Sequence, residues 1–500
     1  MIELFDRRPP RRREGNGLHC LVIGAGEAGR SLARDLLRTP EFGLVPVGFL
    51  DDSPAKVRRR IAGLQVFGTT RDLSAVAERH QVEVVIVAIP SLRPREIRRL
   101  AVDAAAAGLA VRYLPSFGAA LERDARISDL RRLRVDRLLG RDEVQVVRRG
   151  SRATVAGKRV LVTGAGGSIG SELCRQIAAF DPEALYLLDH DESNLHRLQL
   201  QIQGEALLDS DELLIADIRD QGRIGQIFRD LRPQVVFHAA AHKHLPLLER
   251  HPCEGVKSNV LGTLNLVRAA VAHEAERFIL ISTDKAADPT SVLGVTKRVA
   301  EMIVQAHQGG GATRMASVRF GNVLGSRGSL LSVLSEQIES GEDVTVTHPD
   351  VTRFFMTVEE AVGLVVEAAG MARAGEVFVL EMGEPVRIVD LVHNYAAQIH
   401  VDPGDLTIRY TGLRPGEKLN ETLFSEGEQR VATGHPKVWA TAASKTLDND
   451  FFTLLASLEE GAQANDMDEC RSLLAKLVPE YNAAPESAGP ASTAPYPDGF

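Results

Sequence analysis

The sequence is poor in cysteine, in long apolar runs and in net positive charge, and each shortage excludes a class of protein. Its four cysteines, Cys20, Cys174, Cys253 and Cys470, stand far apart without a CxxC or metal-ligand spacing. We therefore expect the reduced thiols of a cytosolic protein and no metal site. No apolar run approaches the roughly 20 residues that span a bilayer, and the N-terminus lacks the apolar segment of a signal peptide. The net charge of -8 gives no basic field for nucleic acid.

What is present is the composition of a globular protein, with 44% hydrophobic and 25% charged residues. A chain of 500 residues is expected to form two or three domains. Residues 1–17 form a basic arm with five arginines, which we interpret as a disordered, solvated tail. The alternative is contact with acidic lipid headgroups, which would place a cytoplasmic protein at the inner face of the membrane. Residues 483–500 are rich in Ala, Pro and Ser and are predicted to be disordered.

Residues 18–120 alternate predicted strands and helices, as a Rossmann-like domain does. The predicted strands are 21–23, 45–50 and 82–89, and the predicted helix is 30–38. A GxGxxG turn at residues 24–29 follows the first strand, and Asp51 follows the second, where a ribose-binding acid would fall. Two interpretations stay open for this domain: a bound nucleotide, or a role in assembly or regulation.

A second α/β domain is predicted over residues 158–440, after an Arg-rich connector at 121–157. Its predicted strands, separated by helical stretches, are 160–163, 184–188, 213–216, 235–239 and 278–282. Such alternation is typical of a doubly wound parallel sheet. Residues from about 320 to 440 lose the alternation and are predicted to form a smaller substrate-binding lobe. Residues 441–482 are predicted as a C-terminal helical segment.

A glycine-rich turn opens the second domain and is suited to a dinucleotide. Gly164, Gly167 and Gly170 let the backbone approach a pyrophosphate, and the helix beginning at Ser168 and Ile169 offers its N–H groups.

Three further positions at strand ends complete the predicted cofactor site. Asp189 ends the next strand; its carboxylate can accept hydrogen bonds from a ribose diol and would repel a 2′-phosphate, which favours NAD over NADP. Asp217 and Ile218 are predicted at the adenine edge. Ala239 and Ala240 are small residues that allow the cofactor to approach closely.

The strongest sign of chemistry is the segment Thr283, Asp284 and Lys285, with Lys297 twelve residues later. It follows a buried strand, and ligands of open α/β sheets bind at the carboxyl ends of strands. The structural alternatives are a surface ion pair for Asp284 and Lys285 and a solvated helix lysine for Lys297.

Five longer motifs carry a resemblance to a known family; they are residues 238–244, 282–298, 319–325, 352–357 and 414–418. With the GxxGxxG turn, they make residues 18–440 similar to the large nucleotide-sugar 4,6-dehydratases of bacterial capsule and glycan synthesis. These are extended short-chain dehydrogenase/reductase proteins that act on UDP-N-acetylglucosamine. The resemblance implies two Rossmann-like domains, of which the second is the catalytic one, and a homo-oligomer.

The resemblance also implies a mechanism. NAD takes a hydride from the sugar C4 and returns it to C6. Lys285 removes the C5 proton, Asp284 protonates the departing C6 hydroxyl, Thr283 binds near the C4 oxygen, and Lys297 orients the nicotinamide ribose. The substrate-binding residues implied by the resemblance are Lys243, His244, Asn322, Arg353, Arg414 and Glu417.

The sequence departs from the family at one catalytic position. Short-chain dehydrogenases place a Tyr four residues before the lysine, and this family often has Met there, whereas this chain has Leu293. Many members also carry N-terminal transmembrane helices, for which this sequence shows no apolar run. Two rival functions remain open. One is a sugar-nucleotide C4-epimerase, against which the acid Asp284 argues, and the other is a catalytically silent nucleotide-sugar-binding scaffold, which Leu293 favours.

Overall fold

The computed structural model describes residues 18–38, 44–89, 152–204, 207–307, 313–324, 330–398, 406–441 and 449–482, residue 401, and scattered positions between 100 and 113. The chain divides into two compact units, residues 1–133 and 134–500. The predicted arm 1–17, most of the connector 121–157 and the tail 483–500 lie outside the described residues.

The first unit is built on a six-stranded sheet in the order β3-β4-β2-β1-β5-β6. Its strands are β1 Leu18–Ile23, β2 Leu44–Leu50, β3 Arg60–Ile61, β4 Leu64–Gly68, β5 Val84–Val87 and β6 Ala110–Tyr113, and its helices are α1 Glu27–Arg38 and α2 Leu73–His80. All neighbours are parallel except β3 and β4. The three predicted strands and the helix α1 are confirmed, with ends that differ by up to three residues.

The second unit is built on a nine-stranded sheet in the order β20-β21-β17-β12-β11-β10-β7-β8-β9. Its strands are β7 Arg159–Thr163, β8 Ala184–Asp189, β9 Leu213–Ile215, β10 Val235–His238, β11 Arg277–Ile281, β12 Arg314–Arg319, β17 Glu376–Leu380, β20 Arg430–Ala432 and β21 Val438–Thr441. The sheet is parallel from β9 to β17, and β21 and β20 add antiparallel strands at one edge. The five predicted strands are confirmed, with ends that differ by one residue.

Helices cover both faces of this sheet, as a doubly wound fold requires. They are α3 Ser168–Ala178, α4 Glu192–Gln203, α5 Gln221–Leu231, α6 Leu245–Arg250, α7 Pro252–Gly255, α8 Gly262–Ala272, α9 Val292–Ala306, α10 Leu330–Ser340, α11 Val358–Met371, α12 Ile388–Gln398, α13 Asn449–Gln463 and α14 Met467–Leu477. A π-helical turn, Val256–Leu261, joins α7 to α8. None of the described helices is long and apolar enough to cross a membrane.

The central strand β11 shows that the sheet is buried on both faces. Phe278 and Leu280 enter the hydrophobic core on one face, and Ile279 and Ile281 enter the core on the other. Alternate residues of a strand point to opposite faces, so an uninterrupted apolar run fits a two-sided environment. The helices α13 and α14 pack into the first of these cores, so the C-terminal helical segment is part of the second unit.

Residues from about 320 to 440 form part of a small lobe and part of the main sheet. Three small two-stranded sheets pair β13 Asn322–Leu324 with β16 Phe355–Thr357, β14 Val344–Val346 with β19 Ile408–Tyr410, and β15 Thr352–Arg353 with β18 Val386–Arg387. Around them lies a separate hydrophobic core with α10 and α12. The strands β17, β20 and β21, by contrast, extend the main sheet, which the loss of alternation in the sequence did not indicate.

Candidate active site

The glycine-rich turn after β7 requires glycine because backbone atoms crowd it. A Cβ on Gly164, which has a φ of +65°, would lie 2.7 Å from the backbone of Ala240. A Cβ on Gly170 would lie 2.1 Å from the carbonyl oxygen of Gly164. The helix α3 starts at Ser168 directly beyond extended Gly167, and no side chain caps it. Because the glycines have no side chains, a dinucleotide pyrophosphate can approach the backbone N–H groups at the N-terminus of α3.

Asp189 is fastened to this turn. Its Oδ2 accepts a hydrogen bond of 2.8 Å from the N–H of Gly166, and its Oδ1 accepts one of 3.0 Å from the N–H of Asp191. The side chain is buried at the carboxyl end of β8. A carboxylate with two oxygens fixed in this way keeps lone pairs for a ribose diol.

The other predicted cofactor residues occupy different environments. Asp217 binds the guanidinium of Arg219 at 2.6 and 2.9 Å, and the side chain of Ile218 is buried beside Gly262. Ala239 donates its N–H to the carbonyl of Thr163 at 3.1 Å and, with Ala240, continues the strand edge that crowds Gly164. These two alanines therefore lie beside the glycine turn.

His238 ends β10 below this edge and is wholly buried. Its two ring nitrogens pair with the hydroxyls of Thr163 at 2.8 Å and Thr263 at 3.0 Å. Burial, with a smaller contribution from the charge of Lys297, lowers the pKa of His238 to about 3. The imidazole is therefore neutral at physiological pH and serves to tie β7 to α8.

The predicted catalytic residues Thr283, Asp284 and Lys285 lie at the carboxyl end of β11, where a 3-10 turn spans Asp284–Ala286. The N–H of Asp284 donates to the carbonyl of Phe320 at 3.1 Å, which anchors the turn to the next strand. The hydroxyl of Thr283 donates to Asp284 Oδ1 at 2.9 Å, and Lys285 Nζ donates to the same oxygen at 3.0 Å. Asp284 is fully buried, and its Oδ2 has no hydrogen-bond partner among the described residues.

Lys285 is surrounded by acceptors. Besides Asp284, its Nζ lies 3.5 Å from Asn322 Oδ1 and 3.5 Å from Glu421 Oε1. Burial alone would lower the pKa of Lys285, but the two carboxylates outweigh it and raise the pKa above its usual value. The side chain is consequently an ammonium in this arrangement.

The helix α9 carries Lys297. Ser291 is its N-cap residue, and the Oγ of Ser291 accepts a hydrogen bond of 3.1 Å from the N–H of Gly294. Lys297 is buried; desolvation lowers its pKa to about 8, and the charge of Glu301 opposes this. With this pKa, both the amine and the ammonium form of Lys297 are populated near neutral pH. Leu293, one turn earlier, is buried with Leu248 in a small apolar cluster. It can form a wall but transfers no proton.

Among the predicted substrate-binding residues, three lie close to Lys285 or to its neighbours, and three are exposed. Asn322 contacts Lys285, and Arg353 binds Glu417 at 2.7 Å. Arg353 also donates to the carbonyls of Thr352 and Leu419, so a diphosphate would have to displace some of these partners. The exposed residues are Lys243, His244 and Arg414.

Sequence reasoning missed two groups of residues. One is Glu421, a buried acid beside Lys285. The other is a buried ion-pair network around Arg319, the last residue of β12. Arg319 binds Glu301 and Glu428, and Glu301 also accepts a 2.6 Å hydrogen bond from Ser282, which follows β11. Charged residues inside apolar strand and helix patterns were the signal that could have pointed to this network.

The first unit repeats the arrangement of glycine turn and acid. Asp51, at the end of β2, accepts from the N–H of Ala25 at 2.8 Å and from that of Ser53 at 3.0 Å. Lys56 Nζ also binds it, at 2.9 Å. A Cβ on Gly29 would lie 1.9 Å from the carbonyl of Gly24, as at Gly170. The described part of this unit thus has the loop geometry of a nucleotide site without an acid/base cluster like that at 283–297.

Two protein-family models match the chain. Residues 160–443 match a family described as polysaccharide biosynthesis protein, and residues 5–115 match a family described as CoA-binding domain.

The chain is also similar to individual proteins and to a solved structure. The Bacillus subtilis protein named "Probable polysaccharide biosynthesis protein EpsC" is 39% identical over 479 residues, which cover 95% of this chain and 79% of that protein. A Campylobacter jejuni UDP-N-acetylglucosamine 4,6-dehydratase (inverting) is 29% identical over 316 residues, covering 62% of this chain and 90% of the enzyme. The crystal structure of Pen from Bacillus thuringiensis is similar with a TM-score of 0.54 and 30% identity, covering 59% of this chain and 90% of Pen.

Proposed function

This chain belongs to the polysaccharide biosynthesis protein family, and we propose that it is a nucleotide-sugar 4,6-dehydratase that acts on UDP-N-acetylglucosamine. The observation that carries the proposal is the contact of Thr283, Asp284 and Lys285 at the end of β11. It joins a hydroxyl, a buried acid and an amine, which are the groups that removal of water from a sugar needs.

The cofactor is NAD. The glycine turn would hold the pyrophosphate, and the fixed carboxylate of Asp189 would hold the adenosine ribose. Lys297, with its lowered pKa, would bind the nicotinamide ribose. When bound, NAD would supply reversible hydride transfer, from C4 of the sugar and back to C6.

The residues of the chain move the protons. A sugar hydroxyl at C4 that donates to Thr283 passes its proton on to Asp284, because Thr283 already donates to Asp284 Oδ1. Asp284 then gives this proton to the C6 hydroxyl, which leaves as water. Lys285, once it is a free amine, takes the C5 proton and returns it to C5 when C6 has been reduced. The proton lost from O4 leaves in the water, and the sum of the steps is the loss of one water.

The substrate assignment rests on the similarity to the Campylobacter jejuni enzyme and on side chains around Lys285. Asn322 is placed to bind the sugar near Lys285. Arg353 would receive the diphosphate, with Glu417 holding its guanidinium in place. Lys243, His244 and Arg414 are exposed and would contact the diphosphate and uridine.

The rival scaffold function is favoured by Leu293, since an apolar side chain stands where a catalytic hydroxyl is usual. The test is incubation of the purified protein with UDP-N-acetylglucosamine, followed by mass and stereochemical determination of the product. A product one water lighter supports the dehydratase. Unchanged mass with a changed configuration at C4 would establish an epimerase, and no turnover would establish the scaffold.

A further inference from the structure

Glu421 is a buried acid that no predicted role accounts for. Its side chain is 3% exposed, and its Oε1 lies 3.5 Å from Lys285 Nζ and 3.8 Å from Arg353 Nε. Its Oε2 is buried without a hydrogen-bond partner among the described residues. An unpaired buried carboxylate oxygen costs free energy and calls for an explanation.

The segment 414–428, which we call the strap, holds Glu421 in this place. The hydroxyl of Thr290 donates to the carbonyl of Gly416 at 3.0 Å, and Lys418 Nζ donates to the carbonyl of Ala287 at 2.9 Å. Gly416 packs so closely that a Cβ there would lie 2.8 Å from Ser291 Cβ. The strap therefore packs against residues 287–291, directly after the 3-10 turn, and these contacts position Glu421 beside Lys285.

Asn420 fixes the backbone next to Glu421. Its Oδ1 accepts from the hydroxyl of Thr352 at 2.7 Å, and the N–H of Thr352 donates to the carbonyl of Leu419 at 3.1 Å. The neighbouring Arg353 is held in turn by Glu417. Among the described residues, the charged groups that face Lys285 are Asp284, Glu421 and, beyond Glu421, Arg353.

The proposed chemistry has a difficulty that this arrangement resolves. Lys285 is an ammonium, and an ammonium cannot remove the C5 proton of a sugar. If its proton had to reach bulk water, the reaction would need alkaline pH. Asp284 lies closer, at 3.0 Å, but it takes the proton from the C4 hydroxyl. The remaining acceptor is the carboxylate of Glu421, 3.5 Å away, and catalytic hydrogen bonds often shorten when the substrate binds.

We infer that Glu421 is a positioning residue that accepts the proton of Lys285 and so frees the amine for the C5 proton. This inference rests on the proposed dehydratase function. The Lys285 N–H bond breaks and an O–H bond forms on the Glu421 carboxyl, which yields a neutral amine and a neutral acid. Binding of the sugar would expel water from the pocket and so remove the solvation of the Lys285 ammonium and the Glu421 carboxylate. This loss of solvation favours the neutral amine and the neutral acid. The proton returns to Lys285 after C5 has been reprotonated.

The test uses the full chain with NAD and UDP-N-acetylglucosamine, and follows nicotinamide absorbance and water loss between about pH 6 and pH 9. The wild-type rate of water loss is expected to lack a roughly tenfold rise per pH unit over this range, and any weaker dependence that Lys297 causes, with its pKa of about 8, is shared by all variants. In Glu421→Gln, water loss should fall roughly 100-fold at neutral pH and rise roughly tenfold per pH unit, since the proton of Lys285 must then reach the solvent. Reduced nicotinamide should still form in this variant, because the C4 step does not use Glu421.

Three companion variants guard against a purely structural effect. Glu421→Asp keeps a carboxylate and should keep the wild-type pH profile at a reduced rate, and Glu421→Ala should regain activity when formate is added. Glu426→Gln removes the same charge from an exposed side chain of the strap and should behave as wild type. Melting temperature and retained NAD are measured for all variants.

The outcomes separate the two proposals. A wild-type pH profile and a near-normal rate in Glu421→Gln would overturn the role of Glu421 and leave the dehydratase in place. A steeper pH profile in Glu421→Asp than in the wild type, or no response of Glu421→Ala to formate, would also overturn it. Wild-type protein that neither reduces its nicotinamide nor loses water would remove the proposed function and this inference together.

Discussion

Replacement of Arg319 by Met should destabilise the second unit strongly. The Arg319 side chain is 0% exposed, and it donates to Glu301 twice at 2.7 Å and to Glu428 at 2.7 and 3.1 Å. Removing one partner of a buried pair costs about 3–5 kcal/mol, because the remaining charge is left uncompensated. Glu301 keeps Arg298 at 3.2 Å, so we expect a loss near the lower limit, about 3 kcal/mol.

Urea denaturation followed by tryptophan fluorescence measures this loss. Trp439 is the single tryptophan of the chain and lies in β21, so its fluorescence reports the second unit alone. The matched control is Arg387→Met, which removes a pair with Asp350 whose side chains are 49% and 67% exposed. Such surface pairs contribute at most about 1 kcal/mol.

The double variant Arg319→Met with Glu301→Gln removes both charges of the pair. The decrease in its free energy of unfolding should be smaller than the sum of the decreases in the two single variants, because neither charge of the Arg319–Glu301 pair is left without the other. A loss in Arg319→Met no larger than that in Arg387→Met would refute the reasoning that the buried network stabilises the unit.

Four further predictions concern the site. Lys285→Ala should lose at least about 100-fold in water loss and retain NAD, as shown by product mass and cofactor content; near-normal turnover would remove Lys285 as the base. Gly170→Ala should not retain NAD after purification, since its Cβ would lie 2.1 Å from the carbonyl of Gly164; bound cofactor in that variant would contradict the described turn. Calorimetry on apo protein should find tighter binding of NAD than of NADP because of Asp189, and the reverse order would be inconsistent with that role. Leu293→Met should keep most activity, since similar-volume swaps cost under about 1.5 kcal/mol, and Leu293→Tyr should gain none; a large rate increase in the Tyr variant would favour the scaffold.

Local patterns made the framework of this protein predictable. Each predicted strand of the parallel sheets is a short apolar run, and most of them are followed by glycine, an acid or a hydroxyl, such as Gly24, Asp51, Gly164, Asp189 and Thr283. The physical cause is local burial and local turn geometry. The glycine turn was readable because only glycine tolerates the approach of Ala240 to Gly164. The family membership, too, was predicted from motifs and is confirmed by the match over residues 160–443.

Contacts between distant parts of the chain could not be predicted in the same way. Glu421 contacts Lys285 because the strap packs against residues 287–291, and no periodicity in residues 414–428 predicts that contact. Arg319 belongs to an apolar strand, and its partners come from α9 and from the strap. The strands β17, β20 and β21 were assigned to the lobe because their pairing with β12 and with one another depends on tertiary structure.

The most direct test of the central claim is the fate of the C4 hydrogen. UDP-N-acetylglucosamine labelled with deuterium at C4 is incubated with the protein, and the position of the label is read by NMR. The dehydratase account predicts a product one water lighter that carries the deuterium at C6, because NAD returns the hydride within the same active site. Deuterium that remains at C4, in a product of unchanged mass or in unconverted substrate, would contradict it.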